Sequence, residues 1–168
     1  IMGGFFREFK RAEHKIKQSY ENAYGTIAAR LLECTSPDQL IVEVLRTFGY
    51  IFQRLEGIEN KNREDAAEAL GAAFGAFYSF MEKIILADAS PLIDQFIKKH
   101  ERRILASCFT LNQRFKELEK KSLIYIDSHM LNLDVLLIKK IKQGKVSKSQ
   151  QEMANKISEL VAGKTGIL

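Results

Sequence analysis

The chain has no tryptophan, two prolines and two cysteines in 168 residues. Cys34 and Cys108 make neither a metal-ligand nor a redox spacing, and they neither require nor exclude a reducing compartment. No window reaches the apolar length of a membrane-spanning helix. The nearest, residues 66–81, is interrupted by Glu68 and ends at Glu82-Lys83. The stretch after Met2 is charged within a few residues and lacks an apolar central region, so no signal peptide is expected and the location reads as cytoplasmic or otherwise soluble.

Catalytic signatures are missing too. The sequence has no glycine-rich phosphate loop, no HExxH and no strand-turn-helix elbow around a serine. The Glu-x-x-His pairs of carboxylate-bridged metal bundles do not occur. His14, His100 and His129 have no ligand-type residue three or four positions away that would set two donors side by side. The expectation is a protein that is not an enzyme and has no cofactor or metal.

What remains is strongly helical. Between Pro91 and Gln143 there is no internal glycine or proline, and the first half of this segment carries Ile93, Ile97, Ile104, Cys108, Leu111, Phe115 and Leu118. Steps of three, four and seven are the period of a helix packed on one side. A first helix is expected from about Gly4 to Glu33, with Phe5, Phe9, Ala12, Ile16, Tyr20, Tyr24, Ile27 and Leu31 on one face. Ser36-Pro37-Asp38-Gln39 reads as a cap, a proline at the first helical position and a capping box opening a second helix that Gly57 ends. Asn62 caps a third helix from Arg63 to about Asp88 that is apolar nearly all round, the pattern of a central helix. Ser90-Pro91 opens the long segment, which is expected to break near Lys121-Ser122 and to finish at Gly144. Ser147 with Gln150 starts a short last helix, and residues 163–168 read as a frayed tail. The fold class is all-α: a single-domain antiparallel bundle of five or six helices, residues 1–168, with a buried third helix.

Charge is unevenly spread on a net +5. Between Glu33 and Asp94 eleven acids face five bases, and between Lys98 and Lys121 eight bases face three acids. Five lysines and no acid fall between Lys139 and Lys148. Such polarity supports an acidic partner, an anionic membrane or nucleic acid, and equally plain solubility. The expected function is therefore a non-catalytic binding or regulatory module for a protein or an anionic surface. Lys98, Lys99, Arg102 and Arg103, and separately Lys139, Lys140 and Lys142, supply the attraction.

A second reading starts from the ridge Ala67, Gly71, Gly75 and Ser79 on the third helix. Glycine in a helix costs about 1 kcal/mol relative to alanine, so something approaches that backbone closely. One candidate is another helix. The other is an apolar ligand or acyl chain, in a sensor pocket lined by Gly71, Gly75, Phe74, Phe77, Tyr78 and the inward-facing His100. A lone histidine on an apolar face also admits a haem ligand or, more simply, a hydrogen-bonded edge of the core. A peripheral membrane contact through Phe5, Phe6 and Phe9 beside Arg7, Lys10 and Arg11 is weighed against those rings continuing the core stripe. Nucleic-acid binding through Lys139–Lys145 lacks a recognition helix and a stacking platform, and it ranks third. A homodimer through the long helix stays open.

Overall fold

The computed structural model describes residues 2–120, 139 and 142–162. Among these the ordered elements are helices: α1 (Met2–Leu32), α2 (Pro37–Leu55), a 3-10 turn (Ile58–Asn60), α3 (Arg63–Phe80), a π turn (Met81–Ile85), α4 (Pro91–Lys120) and α5 (Lys148–Ala162). The protein is an all-α helical bundle. The expected break near Lys121-Ser122, Lys140 and the tail from Gly163 lie outside the described residues, as do the side chains of Phe5, Phe6 and Phe9.

The helix boundaries follow from local chemistry. Asp65 N donates to Asn62 Oδ1 at 2.8 Å, and Ile93 N donates to Ser90 Oγ at 3.2 Å. Each occupies one of the amide donors that a helix start leaves without a partner. At α2, Gln39 N donates to Ser36 Oγ at 3.2 Å. Gln39 Oε1 then accepts from Thr35 N at 2.8 Å and Thr35 Oγ1 at 3.0 Å, so the box closes one residue earlier than the sequence suggests. Gly57 (φ 66°) and Gly144 (φ 65°) take the left-handed conformation that ends the helices before them.

The chain divides into two compact units. The first draws on Ile1–Glu33 and Val42–Phe80. Here α3 is buried nearly all round: from Ala69 to Phe80 only Tyr78 is partly exposed. Gly71 lies against Ile16 and Ser19, Gly75 against Tyr20, and Ser79 Oγ donates to the Tyr24 carbonyl at 2.9 Å. Both helices advance four residues per contact in the same direction, so α1 and α3 run parallel. On α2, Phe48 packs edge-on against Phe80 (5.3 Å between centroids) and Phe77 (6.4 Å), while Arg54 borders the same cleft as Glu68 and Ala72. Later residues of α2 therefore meet earlier residues of α3, which makes α2 antiparallel to it.

The second unit draws on Cys34–Ile41 and Met81–Leu168. All seven stripe residues from Ile93 to Leu118 are buried. The α geometry expected to continue to Asp88 stops at Phe80, where the π turn begins and Leu86 N reaches back five residues to the Met81 carbonyl at 2.7 Å. Gln150 holds this turn. Its amide donates to the carbonyls of Ile84 (3.2 Å) and Ala87 (2.8 Å), and its Oε1 accepts from Ser147 N at 2.7 Å. With Gln150 N donating to Ser147 Oγ at 3.1 Å, the predicted capping box is complete. One fully buried side chain thus caps α5 and supplies donors to two carbonyls at the π turn.

Candidate functional site

The basic residues of α4 emerge on exposed faces. Gln95, Lys98, Arg102, Ala106, Phe109 and Gln113 succeed one another at steps of three and four, all exposed, and no acid interrupts them. Phe109 is 51% exposed, an unusual position for a phenylalanine in a chain with a well-filled core. Lys98, Arg102 and Arg103 have no carboxylate partner among the described residues. Lys99 differs: its ammonium lies 2.9 Å from Asp38 Oδ1, which holds the Asp38 carboxyl below its usual value. Glu101 is paired with Lys156 of α5.

Four cations within six residues of one helix repel one another, and exposure keeps that repulsion small. An acidic partner would relieve it. The second predicted cluster is described in part: Lys139 and Lys142 are helical and exposed.

His100 sits among the α4 cations with the opposite environment. It is 9% exposed, its ring packs on Phe96 with 5.6 Å between centroids, and its Nε2 is buried with no hydrogen-bond partner. Burial lowers its pKa below the ordinary value of 6.5. The nearby charges of Lys99 and Arg103 push it the same way, against a weaker opposing pull from Asp38. Its backbone (φ −120°, ψ 15°) leaves the helical region, so α4 is two helical rods joined at this residue. The inward orientation matches the sequence expectation; the kink has no sequence signal. His100 belongs to the second unit, while Gly71, Gly75, Phe74, Phe77 and Tyr78 belong to the first.

The glycine ridge is occupied by protein. A Cβ placed on Gly71 would collide with the Ile16 carbonyl and Ser19 Oγ, and one on Gly75 with the Tyr20 carbonyl. An apolar ligand over Gly71 and Gly75 would have to displace α1. Phe74 and Phe77 are 0% and 1% exposed, and Phe77 packs edge-on against Phe48 and at a tilt against Phe80. The ridge is therefore a tight helix–helix contact of the small-residue type.

The sequence reading overlooked a cleft in the first unit. It has a volume of about 550 Å³ and a floor of buried Ala23, Ile27 and Ala72. From α1 come Lys15, Gln18, Asn22, Thr26 and Arg30, and from α2 Tyr50 and Arg54. A polar stripe at helical spacing on α1 looks like a solvated face, and only the fold brings Arg54 and Glu68 to it.

Comparison with protein-family models, with curated proteins and with solved structures finds no match. Among the described residues, no three His, Cys, Asp or Glu side chains converge as a metal site, and no helix is long and apolar enough to cross a membrane.

Proposed function

We propose that this chain is a non-catalytic binding module that docks an acidic protein surface on the exposed strip of α4. The observation that carries this reading is the acid-free run of Lys98, Arg102 and the half-exposed Phe109, with Arg103 beside it. Cations supply long-range attraction and orientation, and an exposed aromatic ring supplies the apolar contact that most protein interfaces need at their centre. Lys139 and Lys142 widen the positive field, because both are exposed and the run around them holds no acid. The apolar-sensor reading loses its supporting feature, since α1 covers the glycines that motivated it.

Reversal of Arg102 and Arg103 to glutamate, measured against retention on immobilised poly-L-glutamate, tests the proposal. Retention of the unaltered protein weakens as salt rises, because the charges are exposed and screened. The double variant elutes earlier at every salt concentration. Both residues are exposed, so its melting temperature stays close to that of the parent. Equal retention of the two proteins rules the strip out.

A further inference from the structure

We propose that the cleft between α1, α2 and α3 binds a small hydroxylated organic anion, a phosphate monoester or a carboxylate, with Arg54 as its principal anchor. The inference is independent of the α4 strip: it uses other residues, in the other unit, and a different class of ligand.

Charge comes first. Three cations, Lys15, Arg30 and Arg54, and one acid, Glu68, line this cleft. Lys15 stands toward the Glu68 end, because Gly71 fixes the register of α3 against Ile16 and Ser19, and Arg54 reaches the same cleft from α2. Yet neither cation forms an ion pair with Glu68 or with another described carboxylate. Two positive groups thus line a concave site without an ion-pair partner among the described residues.

The second observation is Arg54 itself. The side chain is half-buried, and its Nε is shut away from solvent with no hydrogen-bond partner in the protein. The same side chain lines the cleft, and its remaining N–H groups make no hydrogen bond to a described residue, so they are the donors open to an acceptor there. The planar fork of an arginine matches two oxygens of a carboxylate or phosphate.

The remaining lining selects for hydroxyl or amide groups on the ligand. Gln18, Asn22 and Thr26 are exposed at the mouth with both donors and acceptors, and Tyr50 adds a phenol from α2. Ser19 already donates to the Lys15 carbonyl at 2.8 Å, which leaves its oxygen free to accept. Glu68 accepts only, and it suits a ligand hydroxyl. The floor is made of small or aliphatic side chains, Ala23, Ile27 and Ala72, flat enough for the carbon skeleton of a sugar or a short acid. At about 550 Å³ the cleft falls within the size range of small-ligand sites.

Isothermal titration calorimetry on the full chain tests this, with glucose 6-phosphate, citrate and inorganic phosphate as probes and glucose as the neutral control. The expected result is saturable binding of at least one anion and none of glucose. Arg54→Gln should weaken that binding about tenfold or more, as loss of a charge-assisted pair does. Arg102→Glu, on α4, should leave it unchanged. If Arg54→Gln does not fold, the exposed end of the site is read with Lys15→Gln, for which a weaker but clear loss is expected. Absence of saturable heat with all three anions overturns the proposal, as does equal binding of glucose, or unchanged affinity in both Arg54→Gln and Lys15→Gln. Pelleting with phosphatidic acid vesicles that glucose 6-phosphate cannot compete away would assign the phosphate chemistry to a lipid headgroup and overturn the soluble ligand.

Discussion

His100 is where burial, charge and backbone geometry meet on α4. With its pKa held below 6.5, the folded protein keeps this ring neutral while the unfolded chain protonates it more readily. The sign follows directly. The favourable contribution is present above pH 6.5 and is lost as pH falls toward the lower folded value. Denaturant midpoints measured from pH 7.5 to about 5 should therefore decline, and His100→Gln should flatten that slope even though it lowers stability throughout. An identical slope in the variant would remove His100 as the cause. Asp38 acts in the same direction at lower pH, below its ordinary 3.8, so the two windows separate. The glycines offer a second residue-scale contrast. Gly71→Ala and Gly75→Ala should each destabilise by about 1–3 kcal/mol, because the new Cβ meets α1 backbone that cannot yield cheaply. Gly49→Ala on α2 should instead stabilise by about 0.5–1 kcal/mol, since a Cβ there meets nothing within 4 Å. Thermal melts of the three variants check both signs. The Cys108 thiol, pushed up to about 12 by burial, should resist alkylation in the native state.

Among the elements, the joint between the π turn and α5 depends on Gln150. Gln150→Ala would strip the Ile84 and Ala87 carbonyls of donors and open the α5 cap together, a loss of about 2–3 kcal/mol by chemical denaturation. Gln151→Ala should be near neutral, because its one side-chain bond to the Val146 carbonyl is long at 3.4 Å. This joint also shows which parts of the structure are written locally. Ser36, Asn62, Ser90 and Ser147 are legible as caps because a side chain meets an amide two or three residues on, and the stripe of α4 is legible because one face of a helix packs. The π turn and the His100 kink carry no comparable local pattern, and the carbonyls of the π turn are satisfied by a glutamine some sixty positions away. Lys98, Arg102 and Arg103 were legible as a cationic exposed face. The cleft was not, since Lys15 through Arg30 resemble any solvated stripe until Arg54 and Glu68 arrive from other helices.

For the whole molecule, the charge asymmetry in the sequence becomes an asymmetry of available surface. Lys99 and Glu101 are engaged by Asp38 and Lys156, whereas Lys98, Arg102 and Arg103 stay exposed on the helix that carries Phe109. Binding on this strip is therefore expected to be steered by charge and seated by one aromatic ring. Phe109→Ala should weaken it with little change in salt dependence, and Arg102→Glu should weaken it and flatten the salt dependence. The most direct measurement is a two-dimensional amide NMR titration of the labelled protein with a poly-glutamate peptide. The largest shifts are expected at Gln95, Lys98, Arg102, Arg103, Phe109 and Gln113. Shifts that cluster instead around Lys139 and Lys142, or that spread evenly over every lysine and arginine, would contradict docking on this strip.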